Sequence, residues 1–175
     1  MHFISGENQI VGVADTGLDI QSCYFIDPSA PVPYNTVSKK HRKVVTYITY
    51  QDHVDDSVNG HGTHVCGSLL GKCHKDSSEY KAFNGIAYNA KVAFFDIGLA
   101  GSYTLNPPSN LESSLFGKSF GTFGCLCLFV FGTANKSYEH NLLSPKINKS
   151  TNYFLCRANV QRWRTNIFKL MGYAN

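Results

Sequence analysis

The sequence predicts an α/β fold in which a parallel sheet is flanked by helices. Three segments, "NQIVGVAD" (8–15), "RKVVTYITY" (42–50) and "NAKVAFFDIG" (89–98), are rich in apolar, β-branched and aromatic residues, as strands buried on both faces are. A segment compatible with a helix, from His61 to about Leu70, stands between the second and third. The first and third strands each run to an acid followed within two residues by glycine, the pattern of a strand entering a tight turn. Strand, helix and strand in that order, with such strands, belong to a parallel sheet.

Taken in order, the first strand ends at Asp15, before Thr16 and Gly17. Chemistry in parallel α/β sheets gathers at the carboxyl ends of strands, so this turn is expected to aim the Asp15 carboxylate out of the sheet edge. The following insert, with Cys23 and "KKHRK" (39–43), reads as surface. The second strand follows from its Val, Thr, Tyr and Ile content. Asp52, Asp55 and Asp56 read as a solvated acidic loop, with a calcium site as the alternative. In the helix, Gly62 and Gly67 weaken propensity and are expected to permit close approach. Val65 and Leu69 share an i, i+4, i+8 face with His61, and Cys66 reads as a small core hydrophobe. Beyond Phe116 the alternation stops, leaving a strand at 125–131 and an amphipathic helix near 157–171 as expectations.

A chain of 175 residues with 43% hydrophobic and 16% charged residues is globular rather than disordered or fibrous. Its net charge of +4 is unevenly spread. Residues 1–116 hold eight Lys/Arg against eleven Asp/Glu, a balance of −3; residues 117–175 hold eight against one, a balance of +7. This break divides the chain into a partial domain at 1–116 and an atypical basic tail at 117–175. The basic residues of the tail form no dense run, which argues against a nucleic-acid partner. Six cysteines fit an oxidising compartment without specifying one. The start, "MHFISGENQIVG", shows no signal peptide, and "CLCLFVFG" (125–132) falls well short of the roughly 20 residues a membrane-spanning helix needs.

A histidine acts as a general base when something fixes its tautomer and steadies the imidazolium that forms, and a buried carboxylate usually does this. Asp15 at a strand end and His61 at a helix start are therefore natural partners. The stretches around them, "VGVADTGLD" (11–19) and "GHGTHVCGSLLG" (60–71), resemble the aspartate and histidine motifs of the subtilisin-like serine peptidases, in that family's order. "GIAYNAKVAFFDIG" (85–98) is similar to the segment that follows them. The resemblance covers residues 8–116 and implies an incomplete subtilisin-like parallel sheet with flanking helices. It places Asp15 as the triad aspartate, His61 as the triad base and His64 at a structural position. It further implies a serine-type endopeptidase acting on peptide or protein substrates, secreted or membrane-associated and luminal. No cofactor follows from it, and structural calcium stays open.

The family's nucleophile lies in a GTSMA-like segment at a helix start, and its oxyanion asparagine in a stretch like SNSWG. Neither is present. "FGTANKS" (131–137) offers Gly132 and Thr133, but Ala134 occupies the serine position and Ser137 is no substitute. Losing the serine costs on the order of a millionfold in turnover, and losing one oxyanion donor roughly 100- to 1,000-fold, so these residues alone are expected to be inactive. The break near residue 116 points to a frame shift, an intron boundary or a truncation in place of the native continuation. The alternative is a non-catalytic pseudo-peptidase serving as a protein-binding module. A sheet lacking its later strands would leave an apolar edge for a complementing protein partner. A cysteine peptidase needs a thiolate aimed at His61 from elsewhere, and none is marked. A zinc site at His61 and His64 lacks HExxH and a third ligand; Cys125, Cys127, Cys156 and His140 are the other zinc candidates.

Overall fold

Strands β1 (Ile10–Asp15), β2 (Val44–Thr49) and β3 (Lys91–Asp96) form a parallel sheet in the order β1-β3-β2. The computed structural model describes residues 5–52, 56, 60–74, 78–101, 105–116, 128–130 and 153–155. The central strand is the last of the three in sequence, so β3 supplies the hydrogen bonds for both neighbours. Asp96 lies opposite Asp15 on one side and Thr49 on the other, so the three strands end level. The ladder between β2 and β3 is interrupted by a bulge between Val44 and Thr46.

Successive residues of a strand point to opposite faces, and here both faces are covered. Val13, Val44, Tyr47, Val92 and Phe94 face helix α1 (His61–Leu70), where they pack with Cys66, Leu70, Leu18 and Phe25. Ala14, Val45, Ala93 and Phe95 face the other way, against Ile97 and Leu115, the latter from a π-helical turn at Glu112–Phe116. Neighbours such as Val13 and Ala14, or Phe94 and Phe95, thus enter two separate cores, which is why the strands read as unbroken apolar runs. Each large side chain buried this way contributes about 1.5–3 kcal/mol.

Helix α1 buries Gly62, Cys66 and Leu70, one position round from the expected His61, Val65 and Leu69 stripe. Val65 and Leu69 are half-buried and pack on the margin of the same core. Of the two helix glycines, Gly62 is the one in close approach: a Cβ there would lie 2.1 Å from the Gly17 carbonyl oxygen. A Cβ at Gly67 would meet nothing within 4 Å, which corrects the expectation for that residue. The last carbonyls of a helix lack intrahelical donors. In α1 they are met by the return chain after the short helix α2 (Ser78–Lys81): Ile86 N donates to Ser68 O at 3.1 Å and Ala87 N to Leu69 O at 2.7 Å.

"KKHRK" is not a surface segment. His41 and Lys43 are buried. The His41 Nδ1 accepts from the backbone N–H groups of Lys43 and Val44, at 3.2 and 2.9 Å. Lys43 Nζ donates to the carbonyls of Ala90 and, at 3.0 Å, Tyr88. The Arg42 guanidinium donates to the carbonyls of Ile26, Lys72 and Cys23. Lys43 and Arg42 serve loop carbonyls, a role that charge counting cannot reveal.

Strands β4 (Leu128–Val130) and β5 (Tyr153–Leu155) pair antiparallel, with β4 lying beside β1. The strand expected at 125–131 is present over the residues of β4, and the helix expected near 157–171 lies outside the described residues. Among the described residues, no helix is long and apolar enough to cross a membrane.

Candidate active site

The sheet's carboxyl end and the amino end of α1 meet at Asp15. This residue is fully buried under the helix start. Its Oδ1 lies 2.8 Å from His61 Nδ1 and accepts from Thr16 N at 2.7 Å. The turn aspartate that bonds its own backbone and the aspartate that holds a histidine are therefore one and the same group. Asp15 Oδ2 has no hydrogen-bond partner among the described residues. Burial pushes the Asp15 carboxyl above its ordinary range, against the opposing pull of His61 and of the Thr16 N–H. The His61 side chain is 45% exposed, so the ring spans from a buried carboxylate to the surface.

The close approach of these residues follows from local sequence. Gly60 sits in the left-handed region at φ 63° and offers no side-chain cap. Two of the orphan donors of the first turn are met from outside the helix. Gly62 N donates to Thr16 Oγ1 at 3.0 Å, and Thr63 N to Asp56 Oδ2 at 3.2 Å. Asp56 Oδ2 also accepts from Thr63 Oγ1, and Asp56 Oδ1 from Thr16 Oγ1 at 3.2 Å. Thr63 Oγ1 in turn accepts from Asp19 N at 2.7 Å. Two carboxylates at the positive end of a helix are favourably placed.

Asp56 is thus not a solvated loop residue. Asp52 is also engaged, accepting from Ala100 N at 2.5 Å, and Asp55 lies outside the described residues. Among the described residues no group of three His, Cys, Asp or Glu stands ready for a metal ion. His64 is exposed and separated in role from His61, its N–H donating to Gly60 O at 2.9 Å within the helix. Cys66 is fully buried, and burial raises its thiol well above the ordinary range, the reverse of what a nucleophilic thiolate needs. Cys125, Cys127, Cys156, His140 and the "FGTANKS" segment lie outside the described residues.

The acid that ends the third strand takes a place in the same region. Asp96, level with Asp15 on β3, is buried and accepts from Tyr47 Oη at 2.7 Å and from Gly98 N at 3.1 Å. Burial, with help from Asp52 and Asp56, pushes its carboxyl up to about 7. Tyr47 Oη also accepts from Leu18 N at 3.2 Å, tying the chain after Asp15 to β2 and β3. The visible signal was the acid at the end of a strand; for Asp56, Thr16 and Thr63 only proximity in space identifies the role.

A strand-end aspartate thus holds a helix-start histidine at the carboxyl end of a parallel sheet. The profile of the subtilase family, peptidase family S8, matches residues 6–110, and the chain belongs to that family, a lineage of serine proteases acting on peptides or proteins. Over 107 residues it is 50% identical to the serine protease/ABC transporter B family protein tagB of Dictyostelium discoideum. Over 109 residues it is 47% identical to tagD of the same organism, also called a serine protease/ABC transporter B family protein. These matches cover 61% and 62% of the chain but 6% of either relative, so the chain spans a small part of their length. Among solved structures, the CspB protease of Clostridium perfringens aligns with a TM-score of 0.55 at 18% identity, over 79% of this chain and 31% of that one. The likeness is one of fold.

Proposed function

We propose that this chain carries the aspartate and histidine of a serine-type endopeptidase centre. In this reading His61 takes the proton of an attacking serine through Nε2 and later returns it to the leaving amine. Asp15 holds the ring by Nδ1 and steadies the imidazolium. The observation that carries the reading is the 2.8 Å contact between His61 Nδ1 and a fully buried Asp15 carboxylate. The serine and the oxyanion donors come from outside these residues, which contain no GTSMA-like segment. Residues 1–116 form the partial peptidase domain and 117–175 a basic tail of separate character, and the chain by itself does not turn over peptides. Further strands of the sheet are supplied by a complementing segment at the β1 edge, where β4 lies.

A serine-directed fluorophosphonate probe applied to the full-length gene product tests the reading. Labelling that disappears in His61→Ala supports it. An intact, folded full-length product that takes no label would sink it.

A further inference from the structure

We infer that Asp56 is the positioning residue of this centre: its carboxylate clamps the turn that carries Asp15 to the helix that carries His61. The inference rests on the peptidase reading only for its consequence in turnover; the clamp itself stands on hydrogen bonds.

The two arms are reciprocal. Through Oδ1, Asp56 accepts from the Thr16 hydroxyl, next to Asp15, and that hydroxyl accepts from Gly62 N of the helix. Through Oδ2, it accepts from the hydroxyl of Thr63, two residues after His61, and that hydroxyl accepts from Asp19 N after the turn. Each motif therefore lends a threonine that takes a backbone N–H of the other, and one carboxylate fixes both hydroxyls. An ionised carboxylate only accepts, so each hydroxyl must donate toward Asp56 and keep its lone pairs for the N–H. An Asn in the same shape presents an amide donor to one hydroxyl, which must then accept from it and turn its own hydrogen elsewhere, so that arm loses its bond to an ionised acceptor. Backbone pairing of Gly17 with Asp56 adds a further tie between the two segments. Bonds to an ionised acceptor are the stronger kind, which suits a group that must hold a histidine within a fraction of an ångström.

The readout is the His61 Nδ1 proton, which in its bond to the Asp15 carboxylate resonates far downfield of the amide region. In the unaltered chain this resonance is expected. In Asp56→Asn it is lost or moves upfield while the amide signals of the three-stranded sheet persist. Thr16→Val and Thr63→Val, each deleting one arm, give the same result and serve if Asp56→Asn fails to fold; Thr16→Ser and Thr63→Ser retain the resonance. In a serine-bearing full-length product, Asp56→Asn lowers kcat by about 100-fold, the effect of misplacing a reacting group by an ångström, with KM little changed. Folded variants that keep the resonance unchanged overturn the clamp. Its absence from the unaltered chain overturns the Asp15–His61 pairing as well, whereas a failed fluorophosphonate reaction with the resonance intact overturns the peptidase reading alone.

Discussion

Gly62 and Gly67 lie on one helix five residues apart, and the structure predicts opposite signs for the same substitution. An alanine Cβ at Gly62 would stand 2.1 Å from the Gly17 carbonyl oxygen and 3.1 Å from Asp15 Cβ. Neither obstacle is the end of a flexible side chain, so the helix must back away from the β1 turn. Overpacking in a well-filled interior costs about 1–3 kcal/mol. Here the upper end or more is expected, because retreat also stretches the Gly62 N bond to Thr16 Oγ1 and the contact of His61 with Asp15. At Gly67 the added Cβ meets open space, and the exchange removes the conformational freedom a helical glycine must surrender. That gain is about 0.5–1 kcal/mol. Urea unfolding followed by circular dichroism measures both: Gly62→Ala lowers the midpoint, Gly67→Ala raises it, and neither changes the slope. A Gly62→Ala chain as stable as the parent would refute the close approach on which the site depends. Loss of stability in Gly67→Ala would refute the open surface assigned to that side of α1.

Stability should also pass through a minimum near neutral pH from two buried groups. The Asp96 carboxyl sits at about 7 against 3.8 ordinarily; between these values the folded state keeps a proton that the unfolded chain releases. Its contribution is therefore full below 3.8 and lost as pH rises through 7, with a slope approaching about 1.4 kcal/mol per pH unit. Lys43 is lowered from 10.5 to about 7 by burial, aided by Arg42 and Lys72; there the unfolded chain holds the extra proton and stability rises from 7 toward 10.5. Urea midpoints across pH are expected to lose the acid-side fall in Asp96→Asn and the alkaline rise in Lys43→Met; an unchanged profile in either variant removes that group as the cause. Cys66, fully buried with its thiol raised, should escape alkylation by iodoacetamide in the folded chain and react once it is unfolded. Fast labelling of Cys66 in the native state would reopen the cysteine-nucleophile reading.

The sheet was legible because its pattern is local. Unbroken apolar runs such as "KVAFFD" can only be strands covered on both sides, and both covers are present. Asp15 and His61 were legible for a similar reason, as each sits at a marked boundary, one at a strand end and the other after a glycine-rich turn. The residues that bind those boundaries together were not. Asp56 looks like one acid among several until its distances to Thr16 and Thr63 are measured. "KKHRK" looks exposed by composition, because nothing in sequence shows that Lys43 will find two carbonyls beside β3 and Arg42 three around the end of α1. Gly62 and Gly67 look alike in sequence, since glycine content alone does not say at which position a Cβ would meet a neighbour.

Among the described residues, the contact between Asp15 and His61 is built without help from the rest of the chain. Both members of the pair, and every described group that holds them, come from the region between β1 and β3. Thr16, Asp19 and Asp56 join the first turn of α1 to the end of β1, while Tyr47 and Asp96 fasten the chain after Asp15 to the other two strands. None of these bonds requires a residue beyond Gly98. Asp15 contacts the histidine directly, and Asp56, in the clamp inferred above, acts on it through two threonines. In the proposed reading, a serine supplied from outside these residues meets an imidazole that Asp15 already holds.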